Sequence, residues 1–187
     1  MSHPIYFNKI CNDAMFLEQL ASGSKNYVST IQDIYQHDKK HDWEVTELDL
    51  VYEQYVAWLY ENVSVLLIQC ATQTRIYQDS YSNKYDLDLL EKDEKPYSSD
   101  KESYEYFSNV VEVISGKFSH SLRECCNKII HANNFELEFI SSKNILKYWN
   151  GTCSLKGHFG KDDWHLKLDV FKFCCALKYF YDTEKYL

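Results

Sequence analysis

From Glu47 to Ser80 the chain runs without a glycine or a proline. Those two residues interrupt helices most strongly, so a stretch this long favours a helix of many turns. Leu48, Val51, Tyr55, Trp58, Leu59, Val63, Leu66, Leu67 and Cys70 recur at spacings of three and four, the period of one helical face. Thr46, with Asp49 three residues later, has the form of a capping box at the start of the run. The segment predicts the spine of a helical bundle, as one helix or two nearly collinear ones.

The remainder fits around such a spine. Only five glycines and two prolines occur in 187 residues, a length that suits one domain spanning 1–187. Helical spacing predicts segments at Phe7–Ala21 and Ser24–Asp38, divided by Gly23, and another from Asp100 to Ser115, ended by Gly116. A further helix is expected over Phe118–Ala132. After Asn134 the period becomes two: Phe135, Leu137 and Phe139 alternate with Glu136 and Glu138. Tyr148–Lys156 and Trp164–Val170 continue as strands around turn residues Gly157–Asp163, and Val170–Tyr181 closes the chain as a helix. The expected class is therefore mainly α: a bundle of five or six helices with a small antiparallel β-hairpin or three-stranded element before the last helix.

Charge and cysteine usage narrow the setting. The formal charge of −8 argues against nonspecific nucleic-acid binding, although it leaves room for a local basic pocket. Acidic residues concentrate between Asp79 and Glu105, and Leu90–Asp100 reads as an exposed loop. The 86–105 segment, together with sixteen tyrosines, offers a surface for a protein partner. The seven cysteines are odd in number, include two adjacent pairs and form no C-x-x-C, so free, packing thiols are expected. No terminal stretch reads as a secretion signal and no apolar run is long enough to span a bilayer, so the expected location is cytoplasmic, with no membrane partner.

Chemistry concentrates in Phe118–Ala132, FSHSLRECCNKIIHA. On a helix, Leu122, Cys125, Cys126, Ile129 and Ile130 form one face. His120, Arg123, Glu124, Asn127 and His131 share the other, within roughly 100° of arc. Arginine is a rigid fork for phosphate oxygens, histidine exchanges protons near neutral pH, and asparagine can orient either. These are parts for metal-independent RNA cleavage, with a base at the 2′-hydroxyl and a cation at the phosphorane. The same stripe also suits a structural role, bonding a neighbouring helix or the hairpin.

The string Leu-Arg-Glu-Cys-Cys-Asn-Lys-Ile-Ile-His-Ala resembles the motif helix of the HEPN superfamily, and is similar to uncharacterised bacterial proteins with an Asn-Lys-Ile-Ile-His helix and a Trp-rich hairpin. HEPN ribonucleases carry an Arg, usually a polar residue after it, then four to six residues and a His; they dimerise across one cleft and need no metal. The resemblance implies a metal-independent endoribonuclease, or a catalytically silent relative, in bacterial defence or toxin–antitoxin systems. It makes His131 the acid or base, Arg123 the phosphate contact and Asn127 the orienting amide, with His120 and Glu124 supporting them, and it implies a homodimer, RNA as partner and no cofactor. Here seven residues separate Arg123 from His131, longer than the family's usual gap.

Other candidates are weaker. His37 and His41 stand at i and i+4, but no third ligand is evident and two lysines lie between them. Gly157-His158-Phe159-Gly160-Lys161 lacks the strand-to-helix context of a phosphate loop and reads as a turn. No nucleophile elbow, Walker sequence or dinucleotide fingerprint occurs. The competing function is a noncatalytic interaction module, and a third reading is an acidic nucleic-acid mimic.

Overall fold

Thr46 and Asp49 close a reciprocal cap: the Thr46 N–H donates to Asp49 Oδ2 at 3.0 Å, and the Asp49 N–H donates to Thr46 Oγ1 at 3.2 Å. With its first turn satisfied in this way, helix α2 runs unbroken from Glu47 to Tyr81 in the computed structural model, which describes residues 7–35, 45–81, 98–142 and 145–184. Leu59, Val63, Leu67, Cys70 and Ala71 are fully buried along it. Trp58, expected on the same stripe, is 44% exposed. The 90–100 loop apart from its last three residues, the His37–His41 pair and most of the acidic 86–105 segment lie outside the described residues.

Helix α1 (Phe7–Ile34) replaces the two expected segments. It passes straight through Gly23, whose interior cost of about 1 kcal/mol is offset by packing on both sides. Ala14 and Leu17 before it, and Val28 after it, are fully buried. Ser24, 1% exposed, joins three elements through one hydroxyl oxygen. It accepts from the Tyr55 hydroxyl on α2 at 2.9 Å and from the backbone N–H of Trp149 at 3.0 Å. Trp149 belongs to strand β3 (Ile145–Phe159).

The expected helix over Asp100–Ser115 is a correction. Helix α3 (Ser99–Tyr106) ends after two turns; Asn109 takes a positive φ of 61°, and strand β1 (Val111–Ser115) follows. Ser108-Asn109 is a turn pair, and Val110-Val111-Glu112-Val113-Ile114 is rich in β-branched residues, which favour strands. Helix α4 (Leu122–Ile130) then leads into β2 (Asn134–Ser142), β3, β4 (Asp162–Asp169) and α5 (Val170–Glu184).

The strands form a four-stranded antiparallel sheet in the order β1-β4-β3-β2. The sheet is therefore larger than the expected three-stranded element and lies among the helices, because β1 precedes α4 in the chain and closes onto β4. Mainly α remains the right class: five helices and four strands are found among the described residues. The core is continuous from α1 and α2 through Leu155, Leu166 and Leu168 of the sheet to Phe173 and Phe180 of α5. No helix among the described residues is long and apolar enough to cross a membrane.

Ser24→Ala strands the Tyr55 hydroxyl and the Trp149 amide in the core. We expect a loss of about 1–3 kcal/mol in urea unfolding. Ser22→Ala, on the exposed side of the same helix turn, should change stability by less than about 0.5 kcal/mol.

Candidate active-site cleft

Helix α4 is shorter than the sequence suggests. Ser121, in extended backbone, caps it by accepting from the Glu124 N–H at 3.1 Å. His131 closes the other end, its own N–H donating to the Asn127 carbonyl at 3.0 Å. His120 therefore precedes the helix and His131 terminates it, which correct the expected Phe118–Ala132 span. Leu122, Cys125, Cys126 and Ile129 are buried as the periodicity requires, whereas Ile130 is half-buried.

The unexpected buried residue is Lys128, 9% exposed. Burying an ammonium is costly unless a partner compensates it. Lys128 Nζ lies 4.4 Å from the centre of the Trp164 ring and 3.5 Å from Glu124 Oε1. The second carboxylate oxygen of Glu124 accepts from Asn127 Nδ2 at 3.3 Å. Cation, indole, carboxylate and amide thus form one continuous set.

Two glycines let Trp164 reach this position. Gly157 pairs with Trp164 across β3 and β4, and a Cβ there would enter the indole and stand 2.8 Å from the His131 carbonyl oxygen. Gly116, at φ +86°, lies beneath the Trp164 Cβ, where an added methyl would stand 2.7 Å away. Backbone approach of this kind is open to glycine alone.

Between α4, the residues after β1 and the tip of the β3–β4 hairpin lies a cleft of about 1060 Å³. Glu124, Asn127, Lys128 and His131 line one side, His158, Phe159, Lys161 and Asp162 the other, with Lys117 and Trp164 between. His131 and His158 are both exposed to it. The cleft therefore joins three of the five expected site residues, Glu124, Asn127 and His131. It adds four that sequence reasoning left aside: Lys128, His158, Lys161 and Trp164. For Lys128 the only available sign was its place next to Asn127; for His158 and Lys161 it was the glycine-flanked turn.

Arg123 and His120 are not among the lining residues. Arg123 Nη2 donates to Asp79 Oδ1 at 2.6 Å, at the C-terminal end of α2, and the pair is largely exposed. Exposed pairs of this sort contribute about 0.2–1 kcal/mol. The Arg123 backbone N–H donates to Asp100 Oδ1 at 2.6 Å, which also accepts from Gln78 at 2.9 Å. Burial pushes the Asp100 carboxyl above the usual carboxylate range, against these hydrogen bonds. His120 packs between Tyr104 and Phe118.

None of the seven cysteines forms a disulfide. Burial pushes the Cys70 thiol up to about 12 and raises Cys125, Cys126, Cys153 and Cys174 as well, so these act as packing groups and not nucleophiles at neutral pH. Among the described residues no group of three or more His, Cys, Asp or Glu is placed to hold a metal ion. Comparison of the chain with protein-family models, with curated proteins and with solved structures finds no match.

Gly157→Ala should cost about 1–3 kcal/mol by overpacking and displace Trp164 from Lys128, seen as a changed near-ultraviolet circular dichroism spectrum. Gly23→Ala, whose Cβ meets nothing within 4 Å, should leave that spectrum intact and stabilise the chain by up to about 1 kcal/mol.

Proposed function

We propose that this chain is a metal-independent endoribonuclease of the HEPN kind, working in the cleft between α4 and the β3–β4 hairpin. The observation that carries the reading is that two exposed imidazoles, His131 and His158, line one cleft with the Lys128 ammonium.

Cleavage of RNA by its own 2′-hydroxyl needs three functions. A base takes the hydroxyl proton as the oxygen attacks phosphorus, an acid protonates the departing 5′ oxygen, and a cation stabilises the charge on the phosphorane. His131 and His158 divide the first two, and Lys128 supplies the third. Asn127, tied to Glu124, orients the attacked phosphate or His131. Arg123, roughly 12 Å along the α4 axis from His131, meets a neighbouring phosphate of the strand once released from Asp79. His120 stays a support for the start of α4. The assembly this reading carries is a homodimer with two α4 helices facing one cleft, in a bacterial defence or toxin–antitoxin setting.

A second reading is a noncatalytic interaction module. It is favoured by an apolar groove of about 570 Å³ between α1 and α2, lined by Leu20, Tyr27, Val51, Tyr55 and Trp58. Tyr27 stacks on Tyr55 there, with ring centres 4.3 Å apart, and remains 46% exposed.

Incubating the purified chain with structured and single-stranded RNAs in EDTA separates the two. The catalytic reading expects cleavage that falls about 100- to 10,000-fold in His131→Ala and in His158→Ala. Equal inertness of wild type and both variants would sink it and leave the interaction module.

A further inference from the structure

Alternation along β3 sets Leu155, Gly157 and Phe159 on one side of the sheet, and alternation along β4 sets Leu166, Trp164 and Asp162 on that same side. Leu155 and Leu166 are buried and Trp164 is 5% exposed, yet Phe159 is 83% exposed. The covered face of the sheet thus ends at Trp164, and the next ring along it projects uncovered at the mouth of the cleft.

The turn does not call for an aromatic. Gly160 supplies the positive φ, +62°, for the two-residue connection to Asp162. Leaving a phenyl ring in water forgoes the free energy that burying it would release. The groups around it are charged: Lys161 beside it, Lys117 in the same cleft, and Asp162 and Asp163 at the start of β4. A protein interface packs an apolar core inside a polar rim, and a single ring among charges does not provide such a core. A nucleobase does match. Its face stacks on one ring while the phosphates of its strand meet flanking cations, the arrangement by which single strands are held without reading their sequence.

We infer that Phe159 is a stacking platform for an unpaired base of an RNA strand, with Lys161 on the adjacent phosphate, so that the cleft selects single-stranded over duplex RNA. Bases within a duplex are stacked on one another and turn no face toward such a ring. The inference rests on the reading of the cleft as an RNA site and adds the strand state that it accepts.

The test uses fluorescein-labelled RNA, as a single strand and as the same strand annealed, with fluorescence anisotropy in EDTA at fixed low salt. The His131→Ala chain keeps the RNA intact. It should bind the single strand at least tenfold more tightly than the duplex. Adding Phe159→Ala should weaken single-strand binding about 5- to 150-fold, the stacking of one base, while Phe159→Trp retains it and duplex binding is unmoved. Unchanged single-strand affinity in Phe159→Ala, or equal loss on both forms, overturns the inference. If wild type cleaves RNA but Phe159→Ala binds as before, only the platform fails. If nothing is cleaved but binding depends on Phe159, only the nuclease fails; absence of any RNA binding removes both.

Discussion

A lysine buried over a tryptophan holds the cleft end of this molecule together. Lys128 could not stay at 9% exposure without the Trp164 ring beneath it and Glu124 beside it. Trp164, in turn, could not lie flat enough without the missing side chains of Gly116 and Gly157. The contact sets the distance between α4 and the hairpin. It also turns the polar stripe of α4 from an ordinary wetted surface into one wall of a cleft, with a positive charge fixed against it in a chain whose net charge is −8.

The scaffold behind the cleft is stiff for reasons that differ by element. Helix α2 derives its length from an uninterrupted run of helix-compatible residues and a satisfied start. Helix α1 is pinned to it and to the sheet at Ser24 and, further along, where Gly151 comes within reach of Ala21. Helix α5 closes the other side, with the Tyr181 hydroxyl 2.8 Å from Thr74 Oγ1 in the buried seam with α2. The hairpin that carries His158 and Phe159 extends from this body as a paired ribbon, so its tip is held by strand register and not by a loose loop.

Local signals in the sequence were faithful wherever one interaction dominates. The Thr46–Asp49 box, the period of α2 apart from Trp58, and the alternation in β2 and β4 all reappear in the structure. Reading failed where tertiary context outweighed propensity. Gly23 has the form of a break, but packing on either side carries the helix through it. Helical spacing takes in Val110–Ile114, but its β-branched run pairs with β4, a partner more than fifty residues away that no local window contains. The site was half legible for the same reason. Helix phase gathers Asn127 and His131, and the chain alone places Arg123 with them. Its pairing with Asp79, like the approach of His158 to α4, arises only once α2 and the hairpin are in place. Lys128 gives no sign of its role in the sequence because a lysine is ordinarily a solvated residue, and the indole of Trp164 with the Glu124 carboxylate makes its burial tolerable.

The claim at the centre of this account is that ligand enters between α4 and the hairpin, against the Lys128–Trp164 pair. The indole N–H resonances of ¹⁵N-labelled His131→Ala protein, assigned by Trp→Phe replacement and followed during titration with a single-stranded RNA, report on it directly. The account predicts a saturable shift at Trp164 with Trp149 and Trp58 unmoved. A Trp164 signal that stays in place at saturating RNA, or a shift confined to Trp58 on α2, would contradict it.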